Sequence, residues 1–369
     1  MFEQEIYDQI ENKLFLKASL AKIPLRGDFE ITPRCSMACK MCYIVMTPEQ
    51  IRSAGKHELT AAQWLKLGEE ACKSGMLSVL LTGGEAMIRS DFKEIFSGLS
   101  SMGLTVDLNT NGTLFTPDML DWMAVNPPSQ VNLTLYGSNN ESYERLCGLP
   151  DGFDRVSKAI DDMQAMGINV RINSTLTPYN YMDADQIIAY ANERKIPIKL
   201  VSYNFLPKRR DGDDAYIERL DAKTAGELEL KLKSEPWSAP GDLYLKKLLE
   251  QIERKERSSN PQPMEISCRA GRSTFWITWE GVMLPCCTLD NITAYPLRDG
   301  FDAAWKSIYE RTEKIFFPEK CWGCDKKPFC PGCPAIYYCE TGDSNKHSDY
   351  LCAFADSLIA AAKAKYNGD

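Results

Sequence analysis

Apolar and polar positions alternate in two rhythms along the first two-thirds of the chain. Short apolar runs rich in β-branched residues or leucine, at 28–32, 77–82, 104–109, 130–136, 168–174 and 197–203, predict strands. Between them, 60–74, 91–101, 117–124, 153–166 and 183–194 carry apolar residues at helical spacing. Thr60, Ser90, Thr116 and Asp151 or Gly152 stand where an N-cap belongs. Gly75, Gly103 and Gly167 follow three of the helices, where a left-handed C-cap favours glycine. Six βα units in series predict an α/β fold with a parallel sheet and helices outside. Six is short of the eight in a closed barrel, so the expectation is a partial (β/α)6 TIM-type barrel, with a flat doubly wound sheet as the alternative. Active groups in such barrels sit at the C-terminal strand ends.

The flanking patterns differ. MFEQEIYDQIENK reads as an amphipathic acidic helix, so residues 1–26 form a helical extension before a barrel at 27–207. Residues 208–264 are highly charged and helix-favouring with Pro-rich breaks at 236–240 and 261–263, which predicts connecting helices and a linker. From 265 to 369 the chain is a small Cys-rich domain, with a hairpin in STFWITWEGVMLPC turning near Glu280-Gly281 and a closing helix at about 350–366.

The length of 369 residues gives ample core for two domains, and 44% hydrophobic and 25% charged residues are ordinary for a globular protein. No run approaches the roughly 18 apolar residues that a membrane span requires. The N-terminus has no apolar signal core, so the expected location is cytoplasmic. A formal charge of −8 argues against nucleic acid as a partner, and Lys208-Arg209-Arg210 reads as a solvated basic run. The anomaly is 14 cysteines, nine of them between Cys268 and Cys352. In a reducing compartment such clustering points to metal rather than to disulfides.

Cys35, Cys39 and Cys42 form C-x3-C-x2-C directly after the first predicted strand. Three thiolates on one loop can hold three corners of an iron–sulfur cluster and leave the fourth iron open. The alternatives are a disulfide with a spare thiol, or zinc, which usually takes a fourth Cys or His close by. The only histidines, His57 and His347, do not fit that spacing.

With Tyr43 after the third cysteine, and Gly83-Gly84-Glu85 ending the second predicted strand in LLTGGEAMIRSDF, the chain resembles the radical SAM superfamily. The subgroup it resembles carries a C-terminal SPASM domain. The likeness implies that the Gly-Gly-Glu segment contacts the amino group of S-adenosylmethionine (SAM); Ala86 stands where the family usually has Pro. It offers further cofactor or substrate contacts at Asn109 in LNTNGTL, at Leu135, Tyr136 and Gly137, and at Arg171, Asn173 and Ser174. Cys147 stands where many relatives carry Arg and receives no role.

The later cysteines extend the resemblance. Cys268-x12-Gly281-x4-Cys286, then Cys321-x2-Cys324-x5-Cys330-x2-Cys333 and finally Cys352, follow the SPASM order, with a gap of two residues where the family usually has three. Alone, the four-cysteine run also fits zinc. The likeness implies two auxiliary [4Fe–4S] clusters: one on Cys268, Cys286 and Cys333, which either takes a fourth ligand from Cys287 or Cys339 or stays open to substrate, and one on Cys321, Cys324, Cys330 and Cys352.

The resemblance implies an enzyme that reductively cleaves SAM to a 5′-deoxyadenosyl radical and modifies a peptide or protein by crosslinking, oxidation or epimerisation. It implies a flavodoxin- or ferredoxin-type reductant. Only about 26 residues precede the first strand, so the expectation is a separate leader-binding protein or a substrate recognised without a leader. A sulfatase maturase is the runner-up, but Cys287 stands where that group has a catalytic Asp; here Cys287 is the candidate hydrogen donor or cluster ligand. A small-molecule dehydrogenase or epimerase is a further reading. A simple electron carrier fits the open three-cysteine loop poorly.

Overall fold

A computed structural model describes residues 2–206, 219–234, 241–253 and 262–367. The basic run at 208–210 and most of the Pro-rich breaks lie outside the described residues.

Strands β1 (Arg26–Glu30), β2 (Ser78–Thr82), β3 (Thr105–Thr110), β4 (Gln130–Thr134), β5 (Val170–Thr175) and β6 (Ile198–Val201) pair in parallel in chain order. Each falls within or beside a predicted run, because the apolar residues that marked it face the helices: Val79 and Leu81, Val106 and Leu108, Val131 and Leu133 are all buried. The opposite face is polar, with Asp28, Asp107, Asn109, Asn132 and Asn173. Arg26 pairs with both aspartates there, 3.3 Å from Asp28 and 3.1 Å from Asp107. An α/β fold with six parallel βα units is what the pattern predicted.

The hairpin belongs to the same sheet. β7 (Thr274–Ile277) lies parallel to β1, and β8 (Met283–Leu284) runs antiparallel to β7, so the order is β6-β5-β4-β3-β2-β1-β7-β8. Sequence assigned this hairpin to the Cys-rich region, since a pairing across some 240 residues leaves no local trace. Two contacts seal the seam. Gly27 lacks a Cβ that would stand 2.7 Å from the Phe275 ring, and Trp276 Nε1 donates to the buried Glu30 carboxylate at 3.1 Å. The turn uses Gly281 at φ +85°, a conformation costly for any other residue.

Helices Ala61–Lys73, Phe92–Ser101, Pro117–Val125, Gly152–Ala165 and Ala184–Glu193 cover the apolar face. Thr60 caps the first in a reciprocal box with Gln63, and the Thr116 hydroxyl accepts from Met119 N. The cap of the second is Asp91 rather than Ser90, because Arg89 and Ser90 belong to the turn that precedes it. Gly75, Gly103 and Gly167 take positive φ. Within the barrel, pattern alone missed two short helices, Pro48–Ser53 and Asn140–Cys147, and the latter supports the site; in the Cys-rich region it also missed helices Phe301–Thr312 and Pro334–Thr341. The N-terminal helix runs over Phe2–Ala21, and its Ser19 reaches Ser273 at the start of β7 (2.8 Å). Helix Ala222–Ser234 lies against the closing helix Asp349–Asn367; Gly226 permits the approach, since a Cβ there would meet Phe354 O at 2.6 Å.

Candidate active site

The Cys35–Cys42 loop leaves the end of β1 and is fixed on two sides by backbone. From the end of β2, Gly84 N donates to Thr32 O and Glu85 N to Arg34 O, both at 2.8 Å. From helix Asn140–Cys147, the carbonyls of Cys147 and Leu146 accept from Ala38 N (3.0 Å) and Lys40 N (3.1 Å). The two glycines are there for close approach. A Cβ on Gly83 would lie 2.4 Å from Thr32 O, and one on Gly84 2.3 Å from Arg34 O. At the base, Arg34 is held by Glu58 through two 2.9 Å bonds. The buried Arg89 spans Ile31 O, Leu59 O and the Asp91 carboxylate at 2.7–2.9 Å.

Above the strand ends lies a cavity of about 320 Å³. All three loop cysteines line it, with Gly83 and Gly84 at one edge and Asn109, Asn111, Asn132 and Asn173 along the strand ends. Met37, Met41, Tyr43, Ile44 and Phe205 supply an apolar wall, with the Tyr43 and Phe205 rings 5.7 Å apart. Burial pushes the Cys35 thiol up to about 12, and Glu85, Cys39 and Cys42 add to the rise. The Cys39 thiol is raised by its contact with the Cys147 thiol and by burial. Asn111 Nδ2 donates to Cys35 Sγ at 3.3 Å. Asn204, 8% exposed, also lines the cavity, and its Nδ2 has no partner among the described residues.

Glu85 is wholly buried and does not line the cavity. Its carboxylate accepts from Thr110 Oγ1 (2.9 Å), Asn111 N (2.8 Å) and Met87 N (3.2 Å), which ties the end of β2 to the end of β3. Burial pushes its pKa up to about 7 against the pull of those donors. Glu85 thus shapes the cavity floor from behind.

The C-terminal thiols form two groups. Cys333 lies within electrostatic reach of Cys286 and Cys268, and burial pushes it up to about 11. Cys352 lies within reach of Cys330, Cys321 and Cys324, and burial raises it as well. Tyr337, 2% exposed, sits against this second group: its hydroxyl accepts from Cys321 Sγ at 3.4 Å and lies 4.0 Å from Cys330 Sγ. Among the described residues no three His, Cys, Asp or Glu side chains close round one metal ion. A [4Fe–4S] cube takes one thiolate per iron, so its ligands need not converge on one point. Three thiols around an open cavity fit such a cube with one iron exposed, and four thiols from two segments fit one that is fully ligated.

The profile of the Radical SAM superfamily matches residues 29–191, the span from β1 to the helix before β6. Residues 29–191 form a domain of the radical SAM superfamily. The cysteine framework of its C-terminal region is of the SPASM type. This radical SAM chain is similar to the AdoMet-dependent heme synthase of Methanosarcina barkeri, with 25% identity over 87% of this chain and 94% of that protein. It is similar to the PqqA peptide cyclase of Ruegeria pomeroyi, 24% identical over 80% of this chain and 78% of that one. Its fold matches Streptococcus suis SuiB bound to the precursor peptide SuiA, with a TM-score of 0.65 at 17% identity, covering 94% of this chain and 81% of the other.

Several residues expected from sequence meet in this radical SAM cavity: Cys35, Cys39, Cys42, Tyr43, Gly83, Gly84, Asn109 and Asn173. Others do not. Glu85 lies behind the wall, Arg171 is exposed and outside the lining, and Ser174 lines an adjoining cavity. Cys287 is half-buried and lines neither cavity, while Cys339 is buried and donates to Thr288 O at 3.5 Å. Sequence reasoning passed over Asn111, Arg89, Glu58 and Asn204, whose importance comes from hydrogen bonds across the fold. For Asn111, its place inside LNTNGTL was the available signal.

Proposed function

We propose that the chain modifies a peptide, by crosslinking, oxidising or epimerising one of its residues. Residues 27–207 carry the radical chemistry and residues 265–369 hold auxiliary [4Fe–4S] clusters. The observation that carries the reading is that three loop cysteines, the Gly83–Gly84 edge and four asparagines line one cavity at the C-terminal strand ends. When bound there, the cluster and SAM supply one-electron cleavage of the sulfonium and a carbon radical that removes hydrogen from the substrate.

The protein's part is to hold, orient and exclude. Cys35, Cys39 and Cys42 give three thiolates and leave the cavity side open. Asn111 steadies the Cys35 sulfur. Gly83 and Gly84 expose backbone at the cavity edge, where no side chain intervenes. Asn109, Asn132, Asn173 and the unpartnered Asn204 amide offer donors and acceptors to the polar ends of SAM and substrate. The wall of Met37, Met41, Tyr43 and Phe205 keeps out water that would quench a reactive intermediate. Cys268, Cys286 and Cys333 form one auxiliary ligand set, and Cys321, Cys324, Cys330 and Cys352 the other, able to take up the electron left on an oxidised substrate. Cys287, beside Cys286, either completes the first set or delivers a hydrogen atom. A flavodoxin- or ferredoxin-type reductant, a separate leader-binding protein and a cytoplasmic location complete the proposal. The relatives that support a peptide substrate are the PqqA peptide cyclases and SuiB with its precursor peptide.

The test is anaerobic incubation with SAM, dithionite and the small peptide encoded beside the gene, followed by mass spectrometry. A SAM-dependent mass change on the peptide supports the reading; 5′-deoxyadenosine formed with every neighbouring peptide left unaltered counts against it.

A further inference from the structure

The cavity over the cluster loop has a neighbour. A second cavity, of about 310 Å³, opens beside it toward β6, and the two share Thr134, Tyr136, Asn173 and Thr175. A molecule in the first can therefore rest a substituent in the second. The second differs in charge. Among the described residues that line it, Lys199 of β6 alone is charged; the rest are hydroxyl, amide or apolar side chains. Lys199 is exposed and has no ion pair among the described residues. Ser174 also borders this cavity, but its buried side chain lies on the opposite strand face from Asn173 and Thr175.

A second cation stands close by. Arg171 shares a strand face with Asn173 and Thr175, since alternate residues point the same way. Asn173 is the register partner of Lys199, so the two cations lie on adjacent strands, one step apart. Arg171 is likewise exposed and unpaired among the described residues. Elsewhere on this face the single cation Arg26 meets two carboxylates, Asp28 and Asp107, so the acidic side chains lie at the β1–β3 end. The cations Arg171 and Lys199 lie at the opposite, β5–β6 end of the sheet. A cleft with a cation, neutral hydrogen-bonding walls and no carboxylate draws a carboxylate.

We infer that Lys199, with Arg171 behind it, anchors an Asp or Glu side chain of the substrate peptide, next to the residue that is modified. This rests on the peptide reading above and names the chemistry that the peptide must carry. The test uses reconstituted enzyme with SAM and three probes: acetyl-Gly-Gly-Glu-Gly-Gly-amide, its Gln counterpart, and free glutarate. Calorimetry or ligand-detected NMR gives the affinities. The Glu peptide binds wild type about tenfold more tightly than the Gln peptide, as one partly exposed charged contact allows. Lys199→Met levels the two, and Lys199→Arg keeps the preference. Equal binding of both peptides by wild type, no binding of either, or a preference that survives in Lys199→Met overturns the inference. Glutarate binding as tightly as the Glu peptide, and lost in Lys199→Met, would leave an anion site but remove the peptide from it. Binding of both peptides without preference would leave the peptide reading standing and remove the carboxylate.

Discussion

The chain frames two sets of thiols in opposite ways. Cys35, Cys39 and Cys42 come from one short loop, pinned by backbone bonds from β2 and from helix Asn140–Cys147, and they face a cavity. Cys321, Cys324, Cys330 and Cys352 come from two segments and gather around one another, with the buried Tyr337 against them. On the proposed ligand sets, the first arrangement leaves one coordination direction for a ligand and the second leaves none. Sites that bind substrate and sites that hold an electron are thus distinguished by what lies on the fourth side, although both are built from cysteine.

The strongest way to break the comparison is to remove one frame's ligands. Replacing Cys35, Cys39 and Cys42 by Ala should reduce SAM cleavage to background and lower iron from about twelve to about eight atoms per chain. Iron analysis and 5′-deoxyadenosine assay read both; a loss of all iron would show that the two sets depend on each other. Next comes the backbone frame. Gly84→Val forces a side chain onto Arg34 O, which stands 2.3 Å from the Cβ position. We expect a stability loss of roughly 3 kcal/mol and about a hundredfold slower cleavage through displacement of the loop. Calorimetry and single-turnover assays measure these.

A smaller effect tests Glu85. Its folded pKa of about 7 stands above the ordinary 4.5, so between those values the folded chain holds a proton that the unfolded chain has lost. Stability therefore falls as pH rises through that window, by on the order of 3 kcal/mol. Anaerobic melting curves should show this slope in wild type and not in Glu85→Gln. A Glu85→Gln protein with an undiminished slope would place the titration elsewhere. The mildest change is Tyr337→Phe. Once Cys321 is a thiolate, the tyrosine O–H is left as the donor to it, and losing that hydrogen bond should lower the potential of the C-terminal cluster. SAM cleavage should be unaffected, and redox titration followed by EPR separates the two.

Much of this was legible in the sequence, for reasons that differ by feature. The six parallel strands showed because each needs an apolar face to seat its helices, and that pattern is local. The cysteine spacings showed because cluster ligands come from short loops. What stayed hidden depends on contacts far apart in the chain. The β1–β7 pairing rests on Gly27 against Phe275 and on Glu30 bonded to Trp276. Glu85 carries a recognised motif, yet only the fold shows that its carboxylate turns away from the cavity to hold Thr110 and Asn111. Helix Asn140–Cys147 was lost among polar residues, although its last carbonyls brace the cysteine loop.

The central claim is that the loop cluster keeps one iron free toward the cavity while the cluster on Cys321, Cys324, Cys330 and Cys352 does not. EPR of the dithionite-reduced protein, recorded anaerobically with and without SAM, tests it most directly. In wild type, SAM should shift the signal of the loop cluster and leave the other signals as they were. A spectrum that SAM leaves unchanged, or a shift that persists after Cys35, Cys39 and Cys42 are replaced by Ala, would contradict the account.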